Sequence, residues 1–166
     1  MPKSKVYLET TIVSYLVAAR SADLIQAAHQ QATRNWWAGR NRFELFVSRA
    51  VVTEAGRGAP DAAARRMEAL QGIPNLQFGR DVAALAKRLM QSGTLPPKAR
   101  LDAAHVAVAA VNGMDFLLTW NLRHLANAAL RGKIEGVCRD AGTSRRSFAR
   151  QRSSWSRSHD TPGSNC

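Results

Sequence analysis

Residues 101–121, LDAAHVAVAAVNGMDFLLTWN, constrain this chain more than any other stretch, because they join a small-residue helix to a strand-length apolar run. Asp102, Ala103, Ala104, Val106, Ala107, Ala109 and Ala110 predict a helix whose slight side chains let another element approach closely. Such a helix is built for burial. Asn112-Gly113 ends it, and residues 114–119 (MDFLLT) read as a strand covered on both faces, as in a parallel sheet. Thr119, Trp120 and Asn121 then fall at the carboxyl end of that strand, the edge where open α/β sheets bind ligands. Asp102 is the one acid of the alanine-rich segment, one to two turns into a helix expected to start at Pro96-Pro97, where the dipole helps little. A buried carboxylate is costly unless it is paired, hydrogen-bonded or metal-bound. A local hydrogen bond at the helix start would satisfy it alone; a functional role requires further acids.

The rest of the chain supplies them. Residues 5–8 (KVYL) are a short β-prone run leading through Glu9-Thr10-Thr11 into a helix-capable segment, 12–19, so Glu9 stands at a strand's carboxyl end and Thr10 is a candidate cap. Residues 21–42 read as one long helix, with Leu24, Ile25, Ala28, Ala32 and Trp36 at three- and four-residue steps. Trp36-Trp37 among arginines could stack on bases, but core or interface packing is the better expectation. Residues 43–47 (FELFV) form a second strand, and Ser48 caps a helix over 49–58 that carries Glu54 about two turns beyond the strand. Helices over 61–72 and 81–92 flank a short third strand within 73–78. Strand, helices, strand in repeated order predicts a parallel sheet with helical crossovers.

On that topology Glu9, Glu54, Asp102 and Asn121 can converge. Three crowded carboxylates repel one another unless a cation lies between them. Oxygen-only ligands without Cys or paired His point to Mg²⁺ or Mn²⁺. The chain has 24 Lys and Arg against 12 Asp and Glu, a formal charge of +12, which favours a polyanionic partner such as nucleic acid. An acidic site within a basic protein suits metal-assisted phosphodiester cleavage. His105 is expected to face core or interface, and His124 is left open as a substrate contact. At 166 residues the length suits one domain with a real core. Two cysteines at no metal-like spacing, no signal-peptide-like start and no membrane-length apolar run lead to the expectation of a cytoplasmic protein without a membrane segment.

The motifs VYLETTIVSYL, the Glu54 helix, LDAAHVAVAA, and LLTWN followed by RHLAN resemble, in this order, the PIN-domain family, and within it the VapC-type toxin ribonucleases of toxin–antitoxin pairs. The resemblance covers most of residues 4–128. It implies a three-layer α/β/α sandwich around a mainly parallel sheet, Mg²⁺- or Mn²⁺-dependent endoribonuclease activity, a homodimer, and a cognate antitoxin protein as partner. Glu9, Glu54 and Asp102 match the family's three acids and Asn121 its fourth position. Glu9, Asp102 and Asn121 are then expected to bind the metal, with Glu54 as a further ligand that orients or deprotonates water, and Thr119, Arg123 and His124 to contact RNA. Two departures stand out: Glu9 is one methylene longer than the usual Asp, and Asn121 replaces an acid, which favours a single-metal mechanism. The alternative reading is an inactive PIN-like module that binds nucleic acid or protein.

The domain is expected to span 1–142. From 143 the chain turns into a Ser/Arg-rich tail, five arginines against one aspartate, expected to be disordered. Back-translated from Gly142 with freely chosen codons and read in a shifted frame, the segment gives YEPPVICAPEELMEPE, a strand-like start followed by an acidic helical start. A frameshift that removes the sheet's final strand is therefore expected, and the nucleotide sequence of the gene decides it.

Overall fold

The computed structural model describes residues 2–143; the tail from 144, on which the expected loss of a final strand turns, lies outside the described residues. The strands are β1 (Ser4–Leu8), β2 (Phe43–Ser48), β3 (Asn75–Leu76) and β4 (Phe116–Leu118). They form one parallel sheet in the order β3-β2-β1-β4. Tyr7 of β1 sits in register with Phe46 on one side and Leu117 on the other. Seven helices flank it among the described residues: α1 (Thr10–Val17), α2 (Leu24–Ala38), α3 (Arg49–Ala55), α4 (Pro60–Ala69), α5 (Arg80–Gln91), α6 (Arg100–Val111) and α7 (Ala128–Asp140). The expected three-layer α/β/α sandwich is what forms.

The sheet is buried because its strands are apolar on both faces. Val6, Tyr7 and Leu8 are all buried, as the central strand of a parallel sheet must be. From β1 the chain steps one way to β2 and β3, then returns through α5 and α6 to place β4 on the other side of β1. That reversal makes the carboxyl ends of β1 and β4 a switch point, where a crevice opens between diverging connections. The small residues of α6 let it sink into the core: Ala103 and the whole run from His105 to Ala110 are buried. Gly113 takes the positive φ of 68° that closes α6 and turns the chain into β4.

Several boundaries differ from those the sequence predicts. The long helix over 21–42 is α2 followed by a 3-10 turn at Arg40–Arg42. Asp23 caps it by accepting from the Gln26 amide at 2.8 Å, and Gly39 interrupts it. Trp36 is buried and stacks on Phe43, so core packing is its role. α6 begins at Arg100 rather than at Pro96-Pro97, because the Ala99 amide donates to the Pro96 carbonyl and closes a separate turn. Asp102 is therefore in the first helical turn, where the dipole favours its charge. α7 is absent from the sequence reading: Gly132 and Gly136 weaken its helical signal, and the burial of Ile134 and Cys138, one turn apart, holds it. No helix among the described residues is long and apolar enough to cross a membrane.

Candidate metal centre

The turn from β1 into α1 is written Glu9-Thr10-Thr11, and each side chain has a separate task. Glu9 itself, not Thr10, is the N-cap of α1. Its Oε2 accepts from the Thr11 amide at 3.2 Å, the Thr11 hydroxyl at 2.5 Å and the Thr119 hydroxyl at 2.8 Å. The extra methylene of Glu9 is thus taken up by the side chain folding back over its own helix start. Thr11 Oγ1 also accepts from the Trp120 amide at 2.8 Å, and the Glu9 amide donates to the Leu118 carbonyl at 3.0 Å. These bonds fasten the end of β4 to the end of β1. Thr10 turns the other way and donates its hydroxyl to Glu54 Oε2.

Glu54 arrives from α3, whose start is set by Ser48: its Oγ accepts from the Val51 amide at the N-cap. The same Oγ lies 2.8 Å from the Tyr7 hydroxyl, which lies 2.7 Å from His105 Nδ1. Burial above all pushes the Tyr7 phenol far up, so it remains protonated. On the other side of the imidazole, Nε2 stands 3.3 Å from Glu54 Oε2 without meeting hydrogen-bond geometry. Ligand atoms of Glu9, Glu54 and His105 all lie within 4.8 Å of one another. Two acids and a buried imidazole thus gather at the carboxyl edge of the sheet.

Asp102 and Asn121 meet beside this cluster rather than within it. Asp102 Oδ1 accepts from Asn121 Nδ2 at 2.9 Å, and Oδ2 is 2.6 Å from His124 Nδ1. Asn121 Oδ1 accepts in turn from the His124 amide at 3.1 Å. Thr119 links the two groups, since its hydroxyl donates to Glu9 and accepts from the Asn121 amide at 2.9 Å. Arg123 is exposed on the turn that follows. Sequence periodicity places His105 in the core, and it is buried there; its approach to Glu54 is what periodicity misses, although Asp102 and His105 share a helix face at three-residue spacing.

Neither Glu9 nor Glu54 has a Lys or Arg ion pair among the described residues. Burial alone would raise the Glu54 pKa, but the His105 imidazole and the Thr10 hydroxyl outweigh it and hold the carboxyl below its ordinary range. A carboxyl depressed on folding adds stability that is complete above the unfolded Glu value, about 4.3, and is lost as pH falls through the lower folded value. The melting temperature of the protein should therefore exceed that of Glu54→Gln by a margin that shrinks below about pH 4. A constant margin from pH 7 to pH 3 would contradict the assignment.

The donor set suits a divalent cation, with two carboxylates and an imidazole nitrogen that has no hydrogen-bond partner. Next to Glu54 a cleft of about 400 Å³ is lined by Arg49, Arg57, Phe78 and Leu101, which sets cations and an exposed aromatic ring beside the acids. No family model, curated protein or solved structure matches the chain.

Proposed function

We propose that the chain is a metal-dependent endoribonuclease. The observation that carries the reading is the approach of Glu9 and Glu54 at the carboxyl edge of the sheet, in a chain of charge +12. A lone pair of facing carboxylates repels a phosphodiester; a divalent cation held between them reverses that sign and supplies an acidic water. Glu9 and Glu54 would hold the Mg²⁺ or Mn²⁺, with Asp102 adding a further acid beside them and Asn121 bonded to it. Glu54, kept ionised by Thr10 and His105, accepts a proton from the attacking water. Asp102 fixes the ring of His124 through Nδ1, which orients the remaining nitrogen for a phosphate contact alongside Arg123. Arg49, Arg57 and Phe78 in the neighbouring cleft offer charge to the backbone and a face for a base.

The order of the four motifs further supports a toxin component of a toxin–antitoxin pair, acting in the cytoplasm as a homodimer and restrained by an antitoxin protein. Cleavage of RNA with Mn²⁺ or Mg²⁺, abolished by EDTA and lowered at least about 10²-fold in Asp102→Ala, is the expected result. Equal cleavage by the two proteins, or cleavage by neither, would overturn the enzyme reading. RNA binding without cleavage would leave an inactive binding module.

A further inference from the structure

We propose that His105 Nε2 is a direct ligand of the metal, making the Glu9, Glu54 and His105 site a mixed nitrogen–oxygen site selective for later divalent transition ions such as Co²⁺ over Mg²⁺. The inference rests on the metal dependence proposed above and assigns its third donor. Three observations support it. His105 is 1% exposed, and its Nε2 is a buried nitrogen with no hydrogen-bond partner, which normally costs free energy that something must offset. That nitrogen lies 3.3 Å from Glu54 Oε2, and one ligand atom each of Glu9, Glu54 and His105 lie within 4.8 Å of one another. Its separation from Glu54 Oε2, 3.3 Å off the line of a hydrogen bond, fits two donors on one ion. Donors each about 2.1 Å from a common ion stand about 3.0 Å apart at a right angle and about 3.4 Å apart at the tetrahedral angle.

The far side of the ring is arranged for this. A metal-bound imidazole presents a lone pair on one nitrogen and donates a proton from the other. His105 Nδ1 lies 2.7 Å from the Tyr7 hydroxyl, which can accept that proton and itself lies 2.8 Å from Ser48 Oγ. Ser48 Oγ accepts from the Val51 amide and keeps a second lone pair for the Tyr7 hydroxyl. With Nε2 on an ion the ring proton stands on Nδ1, where the Tyr7 hydroxyl is placed to accept it. Imidazole adds little for hard Mg²⁺ and much for later divalent ions.

The test uses untagged full-length protein. Pulsed electron paramagnetic resonance on its Mn²⁺ complex should show nitrogen modulation from one imidazole. The sequence has four histidines, so a variant with His29, His124 and His159 each changed to Gln leaves His105 as the sole imidazole and should retain the signal. His105→Gln should lose it. Calorimetric titration should give Co²⁺ at least about 10-fold tighter than Mg²⁺ in the wild type, with most of that preference lost in His105→Gln and about 10-fold weaker Co²⁺ binding in Tyr7→Phe. Mn²⁺ bound without nitrogen modulation, modulation that survives His105→Gln, or modulation lost with the other three histidines would each overturn the ligand assignment and leave metal-dependent cleavage standing. No Mn²⁺ bound at all would overturn both.

Discussion

Glu54→Gln should fold like the wild type and cleave RNA at least about 10²-fold more slowly. The amide keeps the shape of the carboxylate and can still accept from Thr10, so the local packing of α3 is retained. What it lacks is the charge that draws a cation and the basicity that takes a proton from water. The stability lost at neutral pH should be small and should vanish in acid, because Glu54 is only half-buried. A matched change at the exposed Glu44 of β2 should leave cleavage unaltered. Circular dichroism and melting report the fold, and a gel assay with Mn²⁺ reports the rate. Glu54→Gln with full activity would remove Glu54 from the chemistry.

Leu8→Ala should cost about 2–5 kcal/mol and lower the melting temperature by about 5–15 °C. Leu8 is completely buried in the central strand, between two helical layers, and immediately precedes Glu9. Removing three heavy atoms there takes apolar surface from a close-packed region that relaxes only partly. The contrast is Leu24→Ala at the exposed start of α2, where the side chain is 86% exposed and the change should fall within about 0.5 kcal/mol. Chemical denaturation of the two variants measures both. Similar losses at the two positions would contradict a core centred on β1.

What was legible in the sequence follows from how local each signal is. FELFV and KVYL stand out because parallel strands are continuously apolar, and the structure extends each by a single residue to Phe43–Ser48 and Ser4–Leu8. β3 is clipped to Asn75–Leu76 because only those two residues pair along the edge with β2. Glu9 and Glu54 were legible together because Glu9 follows β1, Glu54 lies on the helix that follows β2, and the two strands are parallel neighbours. His105 was not: a core histidine and a ligand occupy the same face of α6, and what distinguishes them is Glu54 on another helix. The pairing of Asp102 with His124 was equally hidden, because it depends on how the turn after β4 folds back. α7 was lost to its glycines, since its burial comes from tertiary contact and not from propensity.

On the proposed reading Glu9 at the start of α1, Glu54 of α3 and His105 of α6 share one divalent cation. Calorimetric titration of Mn²⁺ into the wild type and into the Glu9→Gln/Glu54→Gln double variant tests it most directly. One saturable site per chain in the wild type, absent from the double variant, is the result predicted. Equal binding by both proteins, or no binding by the wild type, would contradict it.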